Sequence, residues 1–220
     1  MIAPTSTNCS AECLKKRNPI CVGFLFSAKR TSCNLLKTFL TENYQASLDV
    51  LGEDWEYFSI KVVNLALGKT VSSSSLYPYP PYTNVNYAVD GRTDFTDNSL
   101  LFHTDFELYP WLTVDLGTLS IVKNVILYNR SDGHGRWLHS VEIRAGNSSV
   151  WSEMNMCGTF LGPSQTGEIH TIECETRPLL YGSYVTVKIV RPNYITDDPN
   201  AIGGKNVLCF REIVVNGLDA

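Results

Sequence analysis

"WLTVDL", residues 111–116, sets Leu112, Val114 and Leu116 on one side of an extended chain and Thr113 and Asp115 on the other. Side chains of a strand alternate faces with a period of two, so this spelling describes a strand with one face on a core and one in water. The same grammar recurs in "YVTVKIV" (184–190), where Val185, Val187 and Ile189 alternate with Thr186 and Lys188. "SVEIRAG" (140–146) and "FREIVVNG" (210–217) repeat it, each closing on glycine. Period-two strands separated by Gly, Pro, Asn and Asp clusters predict a β-sandwich over residues 63–220. No stretch of that segment carries a long helical period.

Residues 1–62 follow another pattern. "SAECLKKRN" opens on Ser10, has Glu12 in its first turn and Lys15, Lys16 and Arg17 in its last, a charge order that suits a short helix. Cys9 and Cys13, four apart, would share one helix face. "CVGFLFSAKRTSCNLL" (21–36) then predicts two short strands around the polar turn Ser27–Ser32. A helix laid on a hairpin buries little, so disulfides have to supplement that core. The chain as a whole is expected to be mainly β, in two units divided near residue 62.

Composition excludes several classes of function. A net charge of −4 on 220 residues argues against general nucleic-acid binding and against electrostatic capture by anionic membranes. No apolar run is long enough to span a bilayer. The start "MIAPTSTNCSAEC" has neither a basic nor an apolar signal region, whereas seven cysteines and the sequons at Asn8, Asn129 and Asn147 point to an oxidising, extracellular setting. The expectation is a secreted protein whose leader is missing from this chain. There is no C-x-x-C pair, and four N-terminal cysteines allow three connectivities between which spacing does not choose. G-x-S-x-G, H-E-x-x-H, phosphate-cradling and catalytic Cys/His signatures are also missing, so the chain reads as a non-enzyme.

Two resemblances sharpen this reading. Cys9-x-x-x-Cys13, Cys21-Val-Gly-Phe-Leu-Phe and Cys33-Asn-Leu make residues 1–62 similar to a partial PAN/apple module, which implies Cys9–Cys33 and Cys13–Cys21 bridges. "NLALGKTVSSSSLYP", "YAVDGRTD", "PWLTVDLG", "YNRSDGHG" and "REIVVNGL" stand in the order found in fucolectin-type lectins, a branch of the discoidin-like jelly rolls. The likeness covers nearly all of residues 64–218. Fucose-binding members of that family carry a histidine, twenty-six residues, Arg-x-Asp, four residues and a basic residue. Here His103 is followed after twenty-six residues by Arg130-Ser131-Asp132, but Trp137 holds the basic position, with Arg136 one place early.

The resemblance implies His103, Arg130 and Arg136 as sugar contacts, with Asp132 orienting Arg130. These residue types suit the chemistry. Arg offers a planar fork of donors to vicinal hydroxyls, neutral His donates or accepts, and a carboxylate fixes the guanidinium. Trp137, or a tyrosine of "LYPYPPY" (Tyr77, Tyr79, Tyr82), would cover an apolar sugar face. The competing reading is a solvated Arg–Asp turn beside a surface histidine. A glycan on Asn129 would stand at the mouth of the pocket, so use of that sequon and sugar binding exclude each other.

The family resemblance also implies one structural Ca²⁺. Its carboxylates would be Asp90 and Glu212, its carbonyls those near Tyr87, Arg92, Leu100 and Arg211, with Asp94 and Asp97 as alternatives. Hard oxygen donors of this kind suit calcium, while a plain Asp-Gly turn is the competing reading. The likeness further implies a Cys157–Cys174 bridge and leaves Cys209 a buried free thiol. The expected ligands are fucosylated or related glycans, with homo-oligomers supplying avidity. The alternatives are an adhesion or scaffold module with a decayed sugar site, and a phospholipid-docking module using "LYPYPPY" or "SLLF" (99–102) as apolar spikes, although both stretches lack flanking Lys and Arg.

Overall fold

The computed structural model describes residues 5–16, 20–40, 54–81, 84–94, 100–174, 178–195 and 203–219. The chain divides into two compact units: Met1–Val62 with Thr176–Leu179 and Ala220, and Val63–Glu175 with Leu180–Asp219.

In the first unit, helix α1 spans Ser6–Lys15. It begins four residues earlier than the Ser10 start read from the charge pattern, because Thr5 is the N-cap, its hydroxyl accepting from the Asn8 amide at 3.3 Å. Cys9 and Cys13 lie on the buried face. Strands β1 (Gly23–Ser27) and β2 (Ser32–Leu36) form the expected hairpin. A third strand, β3 (Trp55–Ser59), pairs with the other edge of β1, giving the order β2-β1-β3. Disulfides join Cys9 to Cys33 and Cys13 to Cys21, and the small core between them holds Phe24 with Phe26, Leu35 and Phe58 packed against it. The stacked rings of Phe24 and Phe58, 5.0 Å apart, tie β3 to the hairpin.

The second unit is a discoidin-like jelly-roll sandwich. Its strands are β4 (Val63–Asn64), β5 (Thr70–Ser73), β6 (Phe102–His103), β7 (Trp111–Asn129), β8 (Val141–Gly146), β9 (Asn155–Phe160), β10 (Ile169–Glu173), β11 (Leu180–Ile189) and β12 (Cys209–Asp219). The 19-residue β7 organises them. Its first part, from Trp111 to Asp115, pairs with β5 and β11; its second, from Ser120 to Asn129, pairs with β12 and β10. Between the two, the register with β11 jumps from Tyr184↔Asp115 to Gly182↔Ser120. Gly117 makes this possible with a left-handed φ of +78°, which costs an L side chain 1–2 kcal/mol or so.

Leu112, Val114, Leu116, Val125, Leu127, Val141, Ile143, Val185, Val187 and Ile213 fill one continuous core, the face that the alternation assigned to it. Thr113 departs from that assignment. It is buried, its hydroxyl 2.7 Å from that of Thr186 on β11, so the two hydroxyls satisfy each other away from water. Cys157 and Cys174 bridge the segment between β9 and the end of β10.

One end of the sandwich is laced from loop to loop. Ser74 and Ser75 hydroxyls donate to Glu107, the Tyr77 amide reaches the His103 carbonyl, and the Asn206 side chain donates to Leu108 and Arg191 carbonyls. The Ser140 amide binds the Leu161 carbonyl and the Ser164 amide that of Leu138. This is the end where β6 and β7 finish and β12 begins.

Candidate functional site

His103 ends β6, in register with Cys209 of β12. Its Nδ1 lies 2.6 Å from the Thr104 carbonyl, which accepts only, so the proton sits on Nδ1 and Nε2 is left as an acceptor. Burial pushes the imidazole pKa down to about 4; the Arg130 charge pushes the same way and the Thr104 carbonyl opposes them. His103 is therefore neutral at physiological pH.

Arg130 follows the last residue of β7. Its Nε and Nη2 donate to the two Asp132 oxygens at 2.7 and 2.8 Å, a bidentate fork. Burial works to raise the Asp132 carboxyl, but the hydrogen bonds and charge of Arg130 outweigh it and hold Asp132 below its ordinary value. The resemblance gave Asp132 the role of orienting Arg130, and the two side chains are joined in that way.

Trp137 stands between these groups. The Arg130 guanidinium lies 4.9 Å from its ring centroid, and the His103 ring meets it perpendicularly at 5.8 Å. Phe106 packs at 6.0 Å and His134 stacks on the indole at 4.5 Å. Tyr77 covers His103 from 4.7 Å. His103 and Arg130 thus converge at one end of the sandwich, yet each is only 4 % exposed, and Trp137, 8 % exposed, fills the space between them. Arg136 sits in the same 3-10 turn, Gly135–Trp137, and is half-buried. Sequence reasoning missed His134, an exposed residue in left-handed backbone (φ +52°); its place between Gly133 and Gly135 is the signal for such a turn.

Asn129 does not fit the glycan-acceptor reading. It is completely buried, and its Nδ2 lies within 2.9 Å of the Gly135 and Gln165 carbonyls and the Ser164 hydroxyl, while Oδ1 accepts from the Arg130 amide. A glycan on that nitrogen is incompatible with this packing. Asn8, on α1, and Asn147, in the turn after β8, are exposed. Cys209 is a buried free thiol behind the site, packed with Leu101, Trp137 and Val207, and burial pushes its pKa up to about 12.

The oxygen-rich loop lies against the same strand, β12. Asp90 follows the 3-10 helix Val85–Val89 and takes the Arg92 amide on Oδ1 at 2.9 Å. Gly91, at φ +82°, donates its amide to Glu212 Oε1 at 3.2 Å. Glu212 is fully buried, and its Oε2 has no hydrogen-bond partner among the described residues. Burial pushes this carboxyl up to about 8, the Asp90 charge adding to the effect and the Gly91 amide opposing it. Arg211 donates to the Leu100 carbonyl at 2.6 Å and reaches Asp94 at 3.4 Å, so the guanidinium itself engages two of the expected oxygen donors. Among the described residues no group of three or more His, Cys, Asp or Glu gathers. Tyr82, Asp97 and Ser99 lie outside the described residues.

The apolar spikes are only partly real. Leu101 and Phe102 of "SLLF" belong to the buried interior, Phe102 against Phe210, so that stretch cannot dock on lipid. Tyr79 of "LYPYPPY" is 65 % exposed, edge-on to Tyr77. No helix among the described residues is long and apolar enough to cross a membrane.

Residues 87–187 match the model of a family described as NedA-like, galactose-binding domain. No curated protein matches the sequence. Among solved structures, the chain is similar to a fucolectin from striped bass (Morone saxatilis) serum, with 26 % identity and a TM-score of 0.61 over 73 % of this chain. The match spans half of that lectin's own length. It is also similar to the lectin domain of lectinolysin complexed with Lewis B antigen, at 25 % identity and a TM-score of 0.52 over 71 % of this chain and 97 % of that one. A Streptococcus pneumoniae fucose binding module, at 21 % identity and a TM-score of 0.52 over 70 % and 96 % of the two chains, bears on the fold alone.

Proposed function

We propose that the unit from Val63 to Asp219 is a non-catalytic carbohydrate-recognition module for extracellular glycans ending in fucose-like or galactose-like sugars. The observation that carries this reading is the convergence of His103 and the Arg130–Asp132 fork on Trp137 at one end of the sandwich. The reading is supported by the match to a galactose-binding family model and by the likeness to a fucolectin and a Lewis B-binding lectin domain. His103 Nε2 accepts a sugar hydroxyl, the Arg130 guanidinium held by Asp132 donates to others, and Arg136 lies at the rim. A sugar enters by moving the Tyr77 ring off His103.

Calcium belongs to the same proposal. A buried carboxylate oxygen without a partner, beside a second carboxylate, is the kind of donor pair that a divalent cation neutralises. Asp90 and Glu212 would hold the ion, and carbonyls of Tyr87, Arg92, Leu100 and Arg211 would complete its shell, that of Leu100 once the Arg211 guanidinium has released it. Bound there, calcium would supply fixed positive charge that orders the loop. The unit from residue 1 to 62 is read as a PAN/apple-like module, its helix clipped to a small sheet by two disulfides. Three disulfides in all fit an extracellular protein, in which homo-oligomers would raise avidity.

A second reading is an adhesion or scaffold module whose sugar site has filled in. The near-complete burial of His103, Arg130 and Trp137 favours it. A glycan array probed with the full chain, with and without EDTA, separates the two. Calcium-sensitive binding to fucose- or galactose-terminated glycans, lost in Arg130→Ala, supports recognition. Binding that appears only in Trp137→Arg supports the filled-in site. Silence on the array together with co-sedimentation on phosphatidylserine vesicles would replace both with lipid docking.

A further inference from the structure

The loop that carries Arg130 and Trp137 hangs on two side chains outside the expected sugar-contacting set. Asn129, the last residue of β7, spreads its amide over three acceptors on two loops: the Gly135 carbonyl at 2.9 Å, the Gln165 carbonyl at 2.8 Å and the Ser164 hydroxyl at 2.8 Å. Ser164, also buried, lies 2.6 Å from His170 Nε2 on β10 and 3.2 Å from Glu168 Oε2. The two loops are interlocked along their backbones as well. The Gly167 amide donates to the Arg130 carbonyl at 2.7 Å and the Asn129 amide to the Glu168 carbonyl at 3.0 Å. Gly135 lies so close to the Gln165–Thr166 backbone that a Cβ there would overlap it, so the loops meet without a side chain between them.

The geometry points to Asn129 and Ser164 as positioning residues for ligand recognition. They fix the Arg130–Trp137 loop against residues 164–168, and so hold Arg130 and Trp137 at the distances from His103 that a glycan meets. This rests on the carbohydrate reading above. A buried network of this kind sets geometry because each member is satisfied only in one arrangement; removing the Ser164 hydroxyl takes one acceptor from the Asn129 amide and leaves His170 Nε2 without its 2.6 Å partner. The amide has two hydrogens for three acceptors, so losing Ser164 shifts Asn129 toward the two carbonyls rather than unfolding the strand beneath. Sequence placed Asn129 in a sequon, and the same carboxamide that would carry a glycan holds the loop.

Ser164→Ala and Ser164→Thr in the full chain test this, with calorimetric affinity for L-fucose and a Lewis b oligosaccharide and with amide hydrogen exchange. The alanine variant is expected to bind about tenfold more weakly, the loss of one buried hydrogen bond, and Thr, which keeps the hydroxyl, to recover most of it. Arg130 and Gly135 amides should exchange faster in Ser164→Ala while those of Val141–Gly146 stay protected. Unchanged affinity in Ser164→Ala, or a weakening matched by lost protection throughout the sandwich, overturns the positioning role and leaves the carbohydrate reading standing. A wild-type chain that binds neither probe, nor D-galactose titrated in the same way, overturns the carbohydrate reading and, with it, this one.

Discussion

Glu212→Gln probes a buried carboxylate that the fold cannot satisfy from its own atoms. In metal-free protein the Glu212 carboxyl is raised to about 8 from an ordinary value near 4.5, chiefly by burial. A group whose folded pKa lies above its unfolded one binds its proton more tightly in the folded state. Its contribution is therefore fully present below about pH 4.5 and is lost as pH rises toward 8. The slope approaches about 1.4 kcal/mol per pH unit inside that window, so several kcal/mol ride on this one proton at most. For a sandwich of this size each kcal/mol moves the melting midpoint by roughly 2–4 °C.

Calorimetric melting in EDTA should then show the midpoint of the second unit falling between pH 5 and 8. Calcium should abolish most of that fall, because the ion stabilises the ionised carboxyl; at a hundredfold excess over Kd it adds about 2.7 kcal/mol. In Glu212→Gln the midpoint in EDTA should stay level through that window, and calcium should move it little. A Glu212→Gln protein that still gains the wild-type increment from calcium would refute the argument, since the charge proposed to meet the ion would be gone.

Three further outcomes follow from the same geometry. Cys209, pushed up to about 12, should stay silent to a thiol reagent at pH 8 in the folded chain and react once the protein is denatured; rapid reaction in native buffer would contradict its burial. In chain secreted from a glycosylating host, mass spectrometry should find no glycan on Asn129, whose Nδ2 is fully engaged, while exposed Asn147 is free to carry one. Because burial lowers His103 to about 4, glycan affinity should be level between pH 5.5 and 8; a midpoint near 6.5 would place the imidazole in water.

Much of the fold was legible because alternation is a local signal. Leu112, Val114, Val185 and Val187 face the core that their spacing assigned to them. The disposition of the third strand of the first unit was not legible. "WEYFS" has no clean alternation, and it pairs with β1 across a long separation, so only tertiary packing of Phe58 on Phe24 defines it. The start of α1 slipped for a different reason: charge order marks the body of a helix, whereas Thr5 fixes its first turn through one hydroxyl.

At the candidate site, the motif located His103, Arg130 and Asp132, and His103 and the Arg130–Asp132 fork do converge on Trp137. What it could not convey is depth. The indole of Trp137 occupies space that spacing alone describes as a pocket, and a sequon gives no hint that its asparagine faces inward. "SLLF" failed likewise, since a short apolar run spells a core strand and a membrane spike identically. The Asn129–Ser164 network depends on two loops separated by more than thirty residues and leaves no motif.

Isothermal titration of a Lewis b oligosaccharide into the full chain in calcium, beside Arg130→Ala and His103→Ala, tests the central claim most directly. The account predicts measurable binding by the wild-type chain, abolished or weakened at least tenfold in both variants while their melting shows a folded sandwich. Wild-type affinity retained in folded Arg130→Ala would contradict it, because the guanidinium beside Trp137 would then have no part in holding the sugar.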